Sequence, residues 1–233
     1  MVDDSQAAIR FRITGAMRFL SHAETSRVLQ RACVRAAIPV RYSQGFNPHP
    51  RLSLPLPRPV GVESDDELLV IRLAEDRENV SQESRAEQEE ALKQALAAQL
   101  PDGIDVLAVA LAPAHASWQP RSAEYVLPVR VEEAGLEEGL RRRMAEVMES
   151  DCCTVERASA EGRAARSVDV RPFLEGIRWE EGDLIVQHRT GPAGSIRVDE
   201  IQQLFGLRTE DLAGPVRRAH VIWETTGFTI CDW

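Results

Sequence analysis

Lysine is almost missing from this chain. Lys93 is the single lysine among 28 basic residues, so nearly all positive charge is carried by arginine, a planar guanidinium that stays protonated. Cysteine is sparse as well. Cys33, Cys152, Cys153 and Cys231 form no CxxC pair, and adjacent cysteines rarely hold one metal together, so free thiols in a cytoplasmic setting are expected. The CxxxCxxC run that would supply an iron–sulfur cluster is absent, and so are the HxH and HxxxH spacings of a metal site. Neither GxGxxG nor GxxxxGK[ST] is present, which argues against a Rossmann or P-loop nucleotide site. No apolar run reaches ~18 residues, so no membrane-spanning helix is expected. Met1–Gln6 holds two acids and no apolar core of a secretory signal.

What is present is unevenly placed. Over 233 residues the net charge is -9. Residues 1–62 nonetheless carry nine Arg against three acids, a net of +6, while residues 63–112 carry four bases against thirteen acids, a net of −9. Arginine bias explains Arg standing in place of Lys. It does not explain why acids avoid residues 5–62. A basic island of this kind suits an anionic partner such as a nucleic acid or a phosphorylated ligand.

Ile9, Phe11 and Ile13 alternate with Arg10 and Arg12, the period of a half-buried strand. Ser21-His22-Ala23-Glu24 reads as a capping box opening a helix to about Ala37, stopped by Pro39. Its apolar face is Val28, Leu29, Ala32, Cys33, Ala36 and Ala37, with Arg27, Arg31 and Arg35 as a separate basic stripe. Strands are expected near Val40–Ser43, Glu67–Leu73 and Ile104–Leu111, with a second capping box at Ser84–Glu87 opening another helix. The charged stretch Glu78–Glu90 reads as a solvated loop and helix start. The order β-α-β-β-α-β implies a ferredoxin-like domain over residues 1–112. Residues 113–121 read as a linker. Residues 122–233 partly repeat the pattern, with a hairpin at Glu181-Gly182 and one extra strand. The fold class is therefore α+β, two ferredoxin-like domains in tandem, each an antiparallel sheet with its helices on one face.

The segment Tyr42-Ser43-Gln44-Gly45-Phe46-Asn47-Pro48-His49-Pro50-Arg51 is the richest in chemistry. Gly and Pro fix a backbone path, and the side chains between them offer rings, amides, a His and an Arg. It is either a turn presenting these groups to a partner or a rigid loop whose Gln44 and Asn47 satisfy local backbone. Strand one would place Arg10 and Arg12 on the face of the sheet away from the helices, the face that RNA-recognition domains of this topology use. Stacking would then fall to Tyr42 or Phe46.

His22, at the first helical position, and His49, between two prolines, are the candidate bases of a metal-independent ribonuclease site. Each reads more readily as a capping or surface residue. In the second half, Asp169 and Arg171 lie on one side of an extended segment and are expected to pair. Gly191–Arg197, ending at Arg197, is a Gly-rich loop entering a helix, a connection that could also hold an anion.

Four segments together resemble the radical-SAM-linked domain family, a bacterial family of unknown function. They are Arg10–Gly15, Met17–His22, Tyr42–Ser53 and Leu56–Ser64, with looser agreement at Val168–Pro172 and Gly194–Arg197. The family commonly has Asp two residues after the motif His, where this chain has Glu24, which keeps a carboxylate. It often has an acid where Ala16 stands. The resemblance implies a stand-alone, non-catalytic accessory protein that recognises the substrate of a radical-SAM enzyme acting in trans. S-adenosylmethionine, an iron–sulfur cluster and a cobalamin-type cofactor would then sit on that partner, with none in this chain. The expected contact set is Arg10, Arg12, Arg18, Ser21, His22, Glu24, Tyr42, Gln44, Phe46, Asn47, His49 and Arg51, with Asp169, Arg171 and Arg197 in the second half. RNA recognition, ribonuclease chemistry and docking onto a protein partner all remain open on the sequence.

Overall fold

The computed structural model of the protein describes residues 5–74, 82–130, 135–157, 165–191 and 194–228. These form a mixed α/β protein with four α-helices and a mostly antiparallel sheet among the described residues. The chain divides into two units, residues 1–119 with 223–233, and residues 120–222.

The first unit contains β1 (Ser5–Ile13), a 3-10 turn at Gly15–Phe19, α1 (His22–Arg35), β2 (Leu52–Ser53), β3 (Glu63–Arg72), α2 (Gln82–Ala97) and β4 (Ile104–Pro113). β1 pairs antiparallel with both β3 and β4, and β2 pairs with β3, giving the order β4-β1-β3-β2. The alternation of β1 sends Ala7, Ile9, Phe11 and Ile13 into a core with Leu29, Ala32 and Cys33 of α1 and Leu92 and Leu96 of α2. The opposite face is not fully open. Ala8, Leu68 and Ala112 pack there with Ala116, Trp118, Trp223 and Phe228.

The capping box of α1 is formed. Ser21 Oγ accepts the Glu24 N–H at 3.3 Å, and the Glu24 carboxylate accepts the Ser21 N–H at 2.9 Å. These bonds hold the Glu24 carboxyl below its usual range. The helix ends at Arg35, two residues before the expected Ala37, which turns the chain with φ 53°. The second expected box does not open its helix. Ser84 lies within α2, which already begins at Gln82, and most of the charged stretch before it lies outside the described residues. The expected strand Val40–Ser43 is reduced to isolated bridges, Val40 with Leu73 and Tyr42 with Pro50, because Pro39, Pro48 and Pro50 offer no N–H.

The following elements are β5 (Ser117–Pro128), α3 (Leu136–Glu149), β6 (Thr154–Arg157), β7 (Arg166–Asp169), β8 (Leu174–Glu180), β9 (Asp183–Arg189), α4 (Val198–Phe205) and β10 (Arg217–Thr226). β5 and β10 each cross the boundary between the units. In the second unit the order is β10-β5-β9-β8, and β6 and β7 pair separately. β6 and β7 thus form a separate antiparallel pair in this unit. Glu181 and Gly182 take φ 50° and 92°, the two positive values of a tight hairpin turn between β8 and β9. Val168–Phe173 is extended only to Asp169 and closes in a 3-10 turn at Arg171–Phe173. Residues 113–121 contain the boundary between the units, after Gln119, and are mostly strand. Pro113 ends β4, Ala116 N–H bonds back to its carbonyl at 3.0 Å, and β5 has begun by Ser117.

Candidate binding site

The Tyr42–Arg51 segment is an arm with a hydrogen-bonded stem. Arg51 N–H donates to Arg41 C=O at 2.7 Å, Ser43 N–H to His49 C=O at 2.8 Å, and His49 N–H to Ser43 Oγ at 2.9 Å. The stem joins the sheet through Arg41 N–H to Arg72 C=O, 2.8 Å, and Arg72 N–H to Arg51 C=O, 2.9 Å. At its tip Gly45 adopts φ 139°, a conformation closed to most side chains. Phe46 is fully exposed at 106% and Tyr42 is exposed at 45%.

Ser43, not Gln44 or Asn47, satisfies the arm's backbone. Among the described residues the side chains of Tyr42, Gln44, Asn47, His49 and Arg51 make no hydrogen bond or ion pair. The arm is therefore built from backbone and one serine, while its recognition-type groups face outward unspent.

Three of the nine arginines of the basic island pair with acids across strands, while Arg27 and Arg31 stay exposed on α1. Arg10 pairs with the buried Asp66 at 3.0 Å, Arg12 with Asp105 at 2.8 Å, and Arg18 lies 3.9 Å from Glu63. Arg18 also donates to Gly15 C=O at 2.8 Å and stacks on Phe19 at 4.4 Å. The acids missing from residues 5–62 come from β3 and β4. Arg35 bonds the side chain of Gln99 at 3.2 Å.

Arg58 is 7% exposed and is a structural centre that sequence reasoning counted only as charge. It donates to the carbonyls of Arg18 (2.7 Å), Leu20 (3.0 Å), Pro59 (3.1 Å) and Val62. It thereby ties the Met17–His22 and Leu56–Ser64 segments together. His22, Thr25, Arg58 and Glu67 line a small gap of about 10 Å³, room for about one water, and His49 is not among its lining residues. Among the described residues no group of three His, Cys, Asp or Glu is placed to hold a metal ion.

The second-unit candidates take structural positions. Asp169 accepts the N–H of Cys153 at 2.8 Å and of Arg171 at 3.1 Å, which pulls its carboxyl below the usual range. The Arg171 guanidinium does not pair with Asp169. It donates to the carbonyls of Met148 (3.1 Å) and Ser150 (2.9 Å), where α3 ends, because unsatisfied helix carbonyls accept from a cation. Arg197 N–H bonds the buried Glu200, which pairs in turn with Arg157. Pro192 and Ala193 of the Gly-rich loop lie outside the described residues.

A larger cavity of about 450 Å³ opens at the base of the arm, lined by Gln6, Arg51, Leu52, Val70, Arg72 and Trp118 among others. Burial lowers the affinity of the Arg72 guanidinium for its proton, and the charges of Arg51 and Arg41 lower it further. Arg72 and Trp118 escaped the sequence reading because one closes a strand and the other sat in the expected linker.

A family model described as "Uncharacterized protein conserved in bacteria (DUF2344)" matches residues 6–198. The chain belongs to this family. The whole arm, Arg58 and the cavity residues fall within the DUF2344 span. None of the curated proteins matches the chain. Among solved structures, one chain of "Crystal Structure of a Cbf5-Nop10-Gar1 Complex" is similar at 14% identity and a TM-score of 0.42. The match covers 92% of this chain and 48% of that one, so this protein spans about half the length of that neighbour. No helix among the described residues is long and apolar enough to cross a membrane.

Proposed function

We propose that this protein is a non-catalytic recognition subunit whose arm contacts RNA, free or within an RNA–protein assembly, for a radical-SAM enzyme acting in trans. The observation that carries the RNA contact is the arm itself: a fixed stem presenting an exposed Phe46 and Tyr42 beside amides that bond nothing else. Rings of this kind stack on unpaired bases, and free amides read base edges. Arg51 and Arg72 supply cations for phosphate. The association with a radical-SAM enzyme rests on the motif resemblance, and S-adenosylmethionine, the cluster and a cobalamin would belong to that partner. We read both units as ferredoxin-like. The order β4-β1-β3-β2 in the first and β10-β5-β9-β8 in the second support this, with β6 and β7 inserted after α3.

RNA cross-linked in native cells and recovered with the full chain tests the reading. Recovery should fall about tenfold for Phe46→Ala and Asn47→Ala, and equal recovery from all three proteins would sink it. A second reading, docking onto the partner enzyme, is favoured by one observation. Phe19 and Val60 are each 59% exposed and are held close by the Gly61 N–H to Arg18 C=O bond of 2.8 Å. A pull-down with Phe46→Ala that loses the partner enzyme favours docking over RNA contact. Cleavage by His22 and His49 is the enzyme-class alternative. Labelled RNA left intact by the protein in chelator removes it.

A further inference from the structure

The cavity at the base of the arm has the composition of a ligand site. Its volume of about 450 Å³ lies within the range of small-molecule pockets. Two guanidiniums, Arg51 and Arg72, stand on its wall, and no carboxylate is among its lining residues. Arg72 is held by its backbone to Arg51 C=O and by its side chain to Ala114 C=O, so its guanidinium is fixed in place. Two cations converging without a lining acid repel each other, and an anion between them removes that cost. Arg41 adds to the repulsion felt at Arg72.

Much of the rest of the wall is apolar. Leu52, Pro55, Val70 and the 6%-exposed Trp118 make a surface for a planar ring. Ser53, Ser117 and Gln6 provide the polar groups. Gln6 is held by bonds from Nε2 to Pro113 C=O (2.7 Å) and Ala116 C=O (2.6 Å), which leaves its carbonyl oxygen as the side-chain group free to accept. An anionic head near two arginines, an apolar wall sized for a ring and an acceptor nearby together describe a single nucleotide.

We propose that this cavity binds one nucleoside monophosphate unit, with its phosphate between Arg51 and Arg72 and its base against Leu52, Val70 and Trp118. The unit is either a free nucleotide or the terminal nucleotide of an RNA strand whose next bases run along the arm. The strand-end form rests on the RNA reading given above, whereas the free form does not.

Calorimetric titration of the full chain distinguishes these cases, using uridine 5′-monophosphate, uridine, inorganic phosphate and a 5′-phosphorylated oligouridine. The monophosphate should bind saturably, with uridine and inorganic phosphate each at least tenfold weaker. Arg51→Gln should lose at least tenfold. Val70→Trp, which fills the cavity and keeps both arginines, should abolish binding of the monophosphate. A tighter 5′-phosphorylated oligomer whose advantage disappears in Phe46→Ala identifies the strand end, and equal affinity of oligomer and monophosphate identifies the free nucleotide. Inorganic phosphate binding as tightly as the nucleotide, or monophosphate binding unchanged in Val70→Trp, overturns the inference. If monophosphate binding fails while oligouridine binding still depends on Phe46, the cavity proposal falls and the arm's role in RNA contact stands.

Discussion

Two buried residues show how little of the charge pattern is surface chemistry. Arg58 spends its guanidinium on backbone carbonyls from two segments far apart in sequence. Arg58→Ala should therefore destabilise the fold by about 2–4 kcal/mol, since several buried carbonyls lose their donor. Chemical denaturation measures this, and Arg58→Lys should restore only part, because an ammonium cannot span the same fan of acceptors. In the second unit His188 is 3% exposed and stacked on Tyr125, with ring centroids 5.1 Å apart. Burial pushes its imidazole down to about 4, and the nearby Arg218 charge pushes the same way. A folded value below the unfolded 6.5 means the unfolded chain binds the proton more tightly. The stabilising contribution is thus complete above about pH 6.5 and is lost as pH falls toward 4, about 3 kcal/mol over the window. Denaturation midpoints from pH 7.5 to 4 should show this loss, and His188→Phe should remove that portion of the slope.

At the scale of elements, α1 and the arm were the most legible parts. The Ser21–Glu24 box works as its spacing implies, and Ser21→Ala should cost about 1 kcal/mol in denaturation. The period of β1 and the Glu181-Gly182 hairpin were readable for the same reason: their signals are local. Other elements depend on what lies across from them. Val40–Ser43 has the composition of a strand, but prolines 39, 48 and 50 break its ladder and leave the pairing to Leu52–Ser53. Residues 113–121 hold the boundary between the units, yet Pro113 ends a strand and Pro120 lies inside β5. The Asp169–Arg171 pair expected from alternation gave way to the end of α3, whose carbonyls no local pattern announces. In the arm the residues were legible and their engagement was not. Only the structure shows that Ser43 carries the local bonding and frees Gln44 and Asn47. Phe46→Ala and Asn47→Ala should accordingly leave the denaturation midpoint unchanged within about 0.5 kcal/mol while weakening RNA contact.

Across the whole molecule, the +6 of residues 1–62 and the −9 of residues 63–112 meet within one unit as Arg10–Asp66, Arg12–Asp105 and Arg18–Glu63. Part of the charge asymmetry of the sequence is thus a pairing of strands, and the basic surface left for a partner comprises the arginines at the base of the arm and the exposed Arg27, Arg31 and Arg35 of α1. The two arginines lining the cavity at the base of the arm set a quantitative expectation. Two phosphate contacts, from Arg51 and Arg72, correspond to a salt slope of about −1.4 for single-stranded RNA, a loss of roughly sevenfold between about 50 and 200 mM salt. The most direct test is a titration of the full chain with single-stranded cellular RNA over that salt range, comparing the native protein with Phe46→Ala. The account predicts salt-sensitive binding that drops about tenfold in the variant at unchanged stability. No salt-sensitive affinity, or a variant that binds as well as the native chain, would contradict it.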